Sequence, residues 1–287
     1  MAARRNRRGR RRNRGRFGFL YKLLSFLLIF AAILVGCVVF FRVDTVVVSG
    51  QSRYTEEEII AAAGVKQGDN LFRLNKIQMG ADIVRSLPYV DEAAISRKFP
   101  DTLLICVTET SAVAAIQSGG EYWLLDARGK LLERGDASLA EGKALIQGLT
   151  PLAPAVGTLL AVAAEEQDKL DQLTALLSAI RVEEMTGSLT SFIDLTTANK
   201  IRFGYGADLT VVFPMNADFT SKTYALKCTL LKMDEEGVAR TGTLDLTYGE
   251  DQAHLLPERW LPDQTLGIQP SEPAPEASPE QGDTNQE

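Results

Sequence analysis

The chain has 287 residues, 45% hydrophobic and 24% charged, with a formal net charge of −6, three cysteines and one histidine. That lone histidine, His254, stands in a polar stretch, and the cysteines are not clustered. Zinc binding and Ser-His-Asp or Cys-His catalysis therefore lack their parts. The net charge hides a split: nine arginines and Lys22 precede Leu23 without a single acid, whereas from Arg42 onward 21 basic residues face 37 acidic ones.

Residues 1–22 form a basic tail, RRNRRGRRRNRGRFGFL at its centre. Residues 23–41 carry no charge, and Ser25 is their only clearly polar residue. At 1.5 Å per residue this run reaches about 28 Å, close to the hydrocarbon thickness of a bilayer. It has no polar stripe at helical spacing, so it is predicted to be a transmembrane helix rather than a soluble core helix. Phe17, Phe19 and Tyr21 suit an aromatic belt, and Lys22 and Arg42 can snorkel at the two ends. The positive-inside rule places the N-terminus in the cytoplasm and everything after Phe41 outside, a single-pass type II arrangement. The arginines then read as a topology signal with affinity for anionic lipid rather than for nucleic acid. Leu34-Val35-Gly36-Cys37 resembles a lipobox, but the apolar run continues through Phe41 where a lipidated cysteine would be followed by a polar tether. Cys106 and Cys228 lie far apart in apolar-periodic segments and are expected to be small buried hydrophobes, not a disulfide.

From Arg42 the pattern changes. RVDTVVVSG reads as a β-branched strand, and YTEEEIIAAAGV as a helix opened by a Thr55/Glu58 capping box and closed by Gly64. LNKIQMGADIVRSLPYV is a second helix with Asn75 as N-cap, Ile77, Ile83, Val84 and Leu87 at helical spacing, and Pro88 as terminator. VDEAAISRKFPDTLLICVTET reads as a hairpin turning at Pro100-Asp101, with Leu103, Ile105 and Val107 on one face. A β-α-α-β-β order over residues 42–110 predicts an α+β domain with helices on one face of a small sheet.

That order, directly outside a membrane helix, resembles a POTRA domain, and its details are similar to the FtsQ/DivIB family of bacterial cell-division proteins. The resemblance rests on VSGQSRYTEEEI, on GDNLFRLN at residues 68–75, on LPYVDEAAISRKFPDTLLICVTE, and further on YWLLDARGKLL, where Asp126 starts a turn and Gly129 is free to take positive φ. The chain departs from the family pattern after Glu109, where Thr110, Ser111 and Ala112 replace an expected basic residue and proline. The resemblance implies a divisome protein at the septum, without enzymatic activity or cofactor. It would bind single-pass membrane partners of the FtsB/DivIC and FtsL type and so regulate septal cell-wall synthesis. The alternative is a POTRA-containing, membrane-anchored binding protein of an export or chaperone-like system.

Residues 111–260 read as a mainly β domain with two flanking helices. ALIQGLTP is a short strand, and Leu170, Leu173, Leu176, Leu177 and Ile180 mark a helix between Glu165 and Met185. SLTSFIDLTTANKIRFGYGADLTVVFP holds several strands, and FTSKTYALKCTLLKMDEEG is a second helix with Phe219, Leu226 and Leu230 on one side. TGTLDLTYG is the last predicted strand. Residues 261–287 are rich in proline and acids and are predicted to be disordered. Gly204 and Gly206 lack the rest of a phosphate-binding loop, Glu56, Glu57 and Glu58 suit a helix dipole, and Asp126 and Asp194 are not convincing as a catalytic pair. No catalytic, cofactor or metal site emerges. The predicted partner-binding site is the last strand, at Thr243, Leu244, Asp245, Leu246, Thr247 and Tyr248. Nothing structured is expected to follow it, so its open edge could pair with a partner strand.

Overall fold

The computed structural model describes residues 15–249 and 252–262. Most of the arginine tail and the segment predicted to be disordered lie outside the described residues. Helix α1 (Gly15–Phe40) contains an apolar stretch, Gly18–Cys37, with mean hydropathy 2.3 and no part buried against the rest of the chain. From Leu23 to Cys37 every side chain but Ser25 lacks a polar group of note, so no polar stripe marks one face for packing on a soluble core. By length and composition it can cross a membrane.

Next come β1 (Thr45–Ser49), α2 (Glu56–Ala63), α3 (Lys76–Ser86), β2 (Val90–Lys98) and β3 (Thr102–Glu109). The three strands form one sheet in the order β1-β3-β2, with β1 parallel and β2 antiparallel to β3. Local chemistry sets the helix ends. The Thr55 hydroxyl accepts from Glu58 N while Glu58 accepts from Thr55 N, and Gly64 closes α2 at φ 66°. Asn75 caps α3 by accepting from Gln78 N at 3.2 Å.

Ile59, Leu71, Ile83, Leu103 and Ile105 are fully buried between helices and sheet. The helix stripe differs from the predicted one. Ile77 is 86% exposed, and Met79 and Gly80 face the core with Ile83, while Val84 and Leu87 are half-buried. The two candidate stripes of α3 lie side by side, and the helix rolls onto the one that lets Gly80 approach the backbone of Ala93. Either Ile83→Ala or Ile105→Ala is therefore expected to cost about 2–4 kcal/mol in thermal melts of the full chain, and Leu87→Ala less.

Glu109, at the end of β3, holds the loop before α2. Its carboxylate accepts from Ser52 N (2.9 Å), the Ser52 hydroxyl, Arg53 N (3.0 Å) and Tyr54 N (3.4 Å). Burial alone would raise its pKa, but these bonds together outweigh burial and hold it below the usual carboxylate value. The unfolded chain binds this proton more readily than the folded one. The contribution is thus present above the unfolded value of about 4.3 and is lost as pH falls through the lower folded value. Glu109→Gln is expected to flatten that acid limb in pH-dependent melts.

The second sheet has nine strands: β4 (Ala114–Ser118), β5 (Glu121–Leu125), β6 (Leu131–Gly135), β7 (Ala144–Gln147), β8 (Leu189–Asp194), β9 (Lys200–Tyr205), β10 (Asp208–Pro214), β11 (Thr241–Asp245) and β12 (His254–Leu256). Their order is β12-β11-β10-β9-β8-β7-β4-β5-β6. Gly204 sits inside β9. Parallel neighbours need a crossover, and two are helical: α4 (Gln167–Val182) joins β7 to β8, and α5 (Phe219–Glu236) joins β10 to β11. The helices share one core with the sheet, α4 through Leu173, Leu176 and Leu177 and α5 through Phe219, Leu226 and Leu230. Cys106 and Cys228 are free and exposed, not buried as expected. Each sits on the outward side of its element, where the alternating and helical periods place it away from the core.

Polar contacts join the two sheets. Lys130 Nζ donates to Val84 O (3.0 Å) and Val90 O (2.9 Å). Burial lowers its pKa, and Asp126 and Asp91 oppose that fall. Asp91 also takes Arg128 at 2.9 Å and Arg181 at 3.6 Å. Tyr89 donates to Glu133 at 2.8 Å beneath the Arg53 guanidinium, and burial followed by that carboxylate pushes the phenol up to about 12.

Candidate functional site

The predicted site lies where the second crossover ends. Helix α5 starts at an Asp218 cap and stops at Gly237, delivering the chain to β11 parallel to β10. Thr243, Leu244 and Asp245 are the last three residues of β11, while Leu246, Thr247 and Tyr248 follow it. Leu244 and Leu246 are 1% and 2% exposed and belong to the core. Leu246 N donates to Val212 O at 3.0 Å, so pairing with β10 continues just past the strand. Asp245 accepts from Thr247 N at 2.8 Å and lies 3.7 Å from Lys200 Nζ. Lys222 of α5 donates to Leu246 O at 3.0 Å and to Gly249 O, tying the segment after β11 to the helix. Only Tyr248 is well exposed, at 56%.

The expectation that nothing structured covers this strand is corrected. β12 returns antiparallel along β11, pairing Thr243 with Leu256, Leu244 with Leu255 and Asp245 with His254. Gly242 makes the approach feasible. Its φ is 96°, and a Cβ there would stand 2.1 Å from Leu256 O. Among the described residues, the edge strand on this side of the sheet is therefore β12. His254, Leu255 (39%) and Leu256 (50%) are all exposed on it, and the His254 ring meets Tyr248 at 4.9 Å.

Beyond β12 the chain folds back across the sheet as a strap. Thr243 Oγ1 donates to Glu258 O and accepts from Trp260 N, both at 2.8 Å. Thr210 Oγ1 donates to Trp260 O at 2.7 Å, and Arg259 donates to Ala207 O at 2.7 Å. The Trp260 ring lies under Arg202 at 4.4 Å and edge-on to Phe192 at 5.5 Å. Strap and edge border a half-open pocket of about 690 Å³ lined by Lys200, Arg202, Thr243, Asp245, Leu256 and Trp260.

Sequence reasoning missed β12 and the strap. Their only signals are the apolar pair Leu255-Leu256 before Pro257 and the final tryptophan. Asp126 and Asp194 are structural acids of separate turns. Asp126 accepts from Arg128 N and Lys130 N, and Asp194 holds Thr196 and Arg202. Among the described residues no group of three or more His, Cys, Asp or Glu side chains could hold a metal ion.

Residues 41–110 match the model of the FtsQ-type POTRA domain. The chain is 28% identical over 137 residues to cell division protein DivIB of Clostridium acetobutylicum, covering 48% of this chain and 55% of that protein. It is 27% identical over 152 residues to cell division protein FtsQ of Corynebacterium glutamicum (52% and 60%), and 29% over 205 residues to FtsQ of Anaeromyxobacter sp. strain K (68% and 64%). The matched stretches thus span between about half and two thirds of these relatives' own lengths. A β-α-α-β-β unit matched by that domain model, followed by a β sheet in a chain similar to FtsQ and DivIB proteins, gives this chain an FtsQ-type POTRA domain and a likeness to FtsQ and DivIB cell-division proteins that extends beyond it.

Proposed function

We propose that this protein works by binding rather than by catalysis. It is anchored by α1 with its N-terminus in the cytoplasm, and it presents the nine-stranded sheet outside the membrane to partner division proteins at the septum. The partners are single-pass membrane proteins of the FtsB/DivIC and FtsL type, and through them the protein helps regulate septal wall synthesis. The observation that carries the docking reading is the β12 edge. Natural sheets guard their edges with charge, proline or cover, because unpaired N–H and C=O groups recruit other strands. β12 has no formal charge in its three residues and leaves two leucines half-exposed. An extended partner segment could add to this edge, with backbone hydrogen bonds supplying affinity and the Leu255, Leu256 and Tyr248 side chains supplying selectivity. The residues from Thr243 to Asp245 support the edge from behind.

Pull-downs of the full chain against FtsB/DivIC- and FtsL-type proteins test this. Ending the chain after Pro262 should leave capture intact, whereas ending it after Gly249 removes β12 and the strap and should abolish capture while circular dichroism stays close to the parent's. Equal capture by both truncations would sink the edge reading. The orientation has its own test. A C-terminal reporter active only outside the cytoplasm should work on the full chain, and external protease should reach the nine-stranded sheet in spheroplasts. Protection from that protease would overturn the orientation.

A further inference from the structure

The end of α1 meets the three-stranded sheet through contacts that the docking edge does not use. Phe41, directly after α1, sits against two phenylalanines from separate loops. Its ring centroid lies 5.1 Å from Phe72 and 5.3 Å from Phe99, and those two rings stack 5.2 Å apart. Phe72 precedes α3, and Phe99 stands at the turn between β2 and β3. Both remain 51% exposed, and the neighbouring Phe40 is 70% exposed. Contiguous exposed aromatic surface of this kind marks an interaction site. Hydrogen bonds fix where the patch stands. Asn70 Nδ2 donates to Cys37 O in the last turn of α1 (3.1 Å), Leu71 N donates to Phe41 O (3.0 Å), and Val43 N donates to Asp69 O (2.8 Å). Arg42 and Asn70 add an antiparallel bridge. The loop before α3 thus caps the membrane helix, and the patch cannot swing away from its end.

We propose that Phe40, Phe41, Phe72 and Phe99 form an interfacial seat. They insert into the headgroup and upper acyl region of the leaflet that α1 leaves, and so fix how the three-stranded sheet stands on the membrane. The proposal rests on α1 spanning the bilayer. Its occupant follows from position: the apolar run that begins at Leu23 continues through Phe41 and is broken by Arg42, so the rings stand at the very end of the run. That position brings the rings to the interface that aromatic side chains favour. Charge plays the smaller part. Arg42, Arg73 and Lys98 are exposed nearby, but acids of the same loops accompany them: exposed Asp44 beside Gln67, and the half-buried Asp69 capping Lys66 N and Asp101 beside Thr102. The seat is therefore apolar in origin and should form on zwitterionic lipid.

The test uses the full chain in phosphatidylcholine nanodiscs, with lipids brominated either near the headgroup or near the chain terminus. Phe72→Trp and Phe99→Trp are read by fluorescence after subtraction of the parent signal from Trp123 and Trp260, with circular dichroism as the folding check. Phe30→Trp, within the apolar stretch of α1, reports on the anchor. The expected result is blue-shifted emission from both loop tryptophans, quenched more by shallow than by deep bromine and unchanged by added salt, with the reverse depth order for Phe30→Trp. If Phe30→Trp is quenched but neither loop tryptophan is, the anchor stands and the seat is refuted, leaving the patch to a protein partner. If Phe30→Trp is not quenched, the anchor reading fails and the seat with it.

Discussion

Gly242→Val is expected to expel β12 from the sheet and to lower capture of a strand-adding partner at least about tenfold, which is the effect of about 1.4 kcal/mol of lost binding free energy. Two independent effects act at this position. The φ of 96° is strained for any residue with a Cβ, and the Cβ itself would stand 2.1 Å from Leu256 O and 3.1 Å from Pro257 O. Neither of those atoms is the flexible end of a side chain. The clash is relieved only by moving β12, or the start of the strap, away from β11. Gly237→Ala separates the two effects. Gly237 has φ 67° with nothing within 4 Å of its would-be Cβ, so strain alone acts there. It should cost about 1 kcal/mol of stability and leave capture unchanged. Amide exchange over residues 254–256 shows whether β12 has been released. Release with undiminished capture would place the docking surface elsewhere in the chain.

The same segment shows where the sequence was legible and where it was not. Elements whose signals are local were read correctly: the Thr55/Glu58 box reports its own helix end, and Leu103, Ile105 and Val107 report their own face. The α3 stripe was half legible, because Ile77-Val84 and Met79-Ile83 are both acceptable helical spacings. What decides between them is the contact of Gly80 with Ala93 O, which no helical period encodes. β12 was not legible. Three residues carry no useful period, and their pairing with β11 depends on a glycine at position 242 and on Thr243 bonding two backbone groups of the strap. The strand read as the open edge is therefore an inner one, because β12 pairs along it. The cysteines misled for a related reason: an apolar neighbourhood in sequence does not say which side of a strand or helix a residue occupies.

Phe203→Ala is expected to cost about 3–5 kcal/mol, a large share of the stability of a domain of this size. Phe203 is fully buried on β9, with its ring edge-on to Phe213 of β10 at 5.3 Å, and Phe213 stacks in turn on Phe219 of α5 at 6.3 Å. Truncation would open a cavity under the crossover that delivers β11 to its place beside β12. Its reach beyond the nine-stranded sheet depends on how the chain divides. The two apolar cores share no residue, since Ile59, Ile83 and Ile105 pack in one cluster and Leu173, Phe203 and Leu226 in the other. Between them run polar contacts: Lys130 to Val84 O and Val90 O, Asp91 to Arg128 and Arg181, and Tyr89 to Glu133. Apolar packing, being proportional to buried area, dominates each core, whereas the Asp91 pairs, whose arginines are half-exposed, add little. We propose on that ground that residues 42–110 and 111–260 are two folding units. Phe203→Ala should then lower exchange protection across β7 to β11 and leave the amides of β2 and β3 near parent values. Equal loss of protection in both sheets would instead make the Lys130 and Asp91 contacts strong enough to fuse them into one cooperative unit.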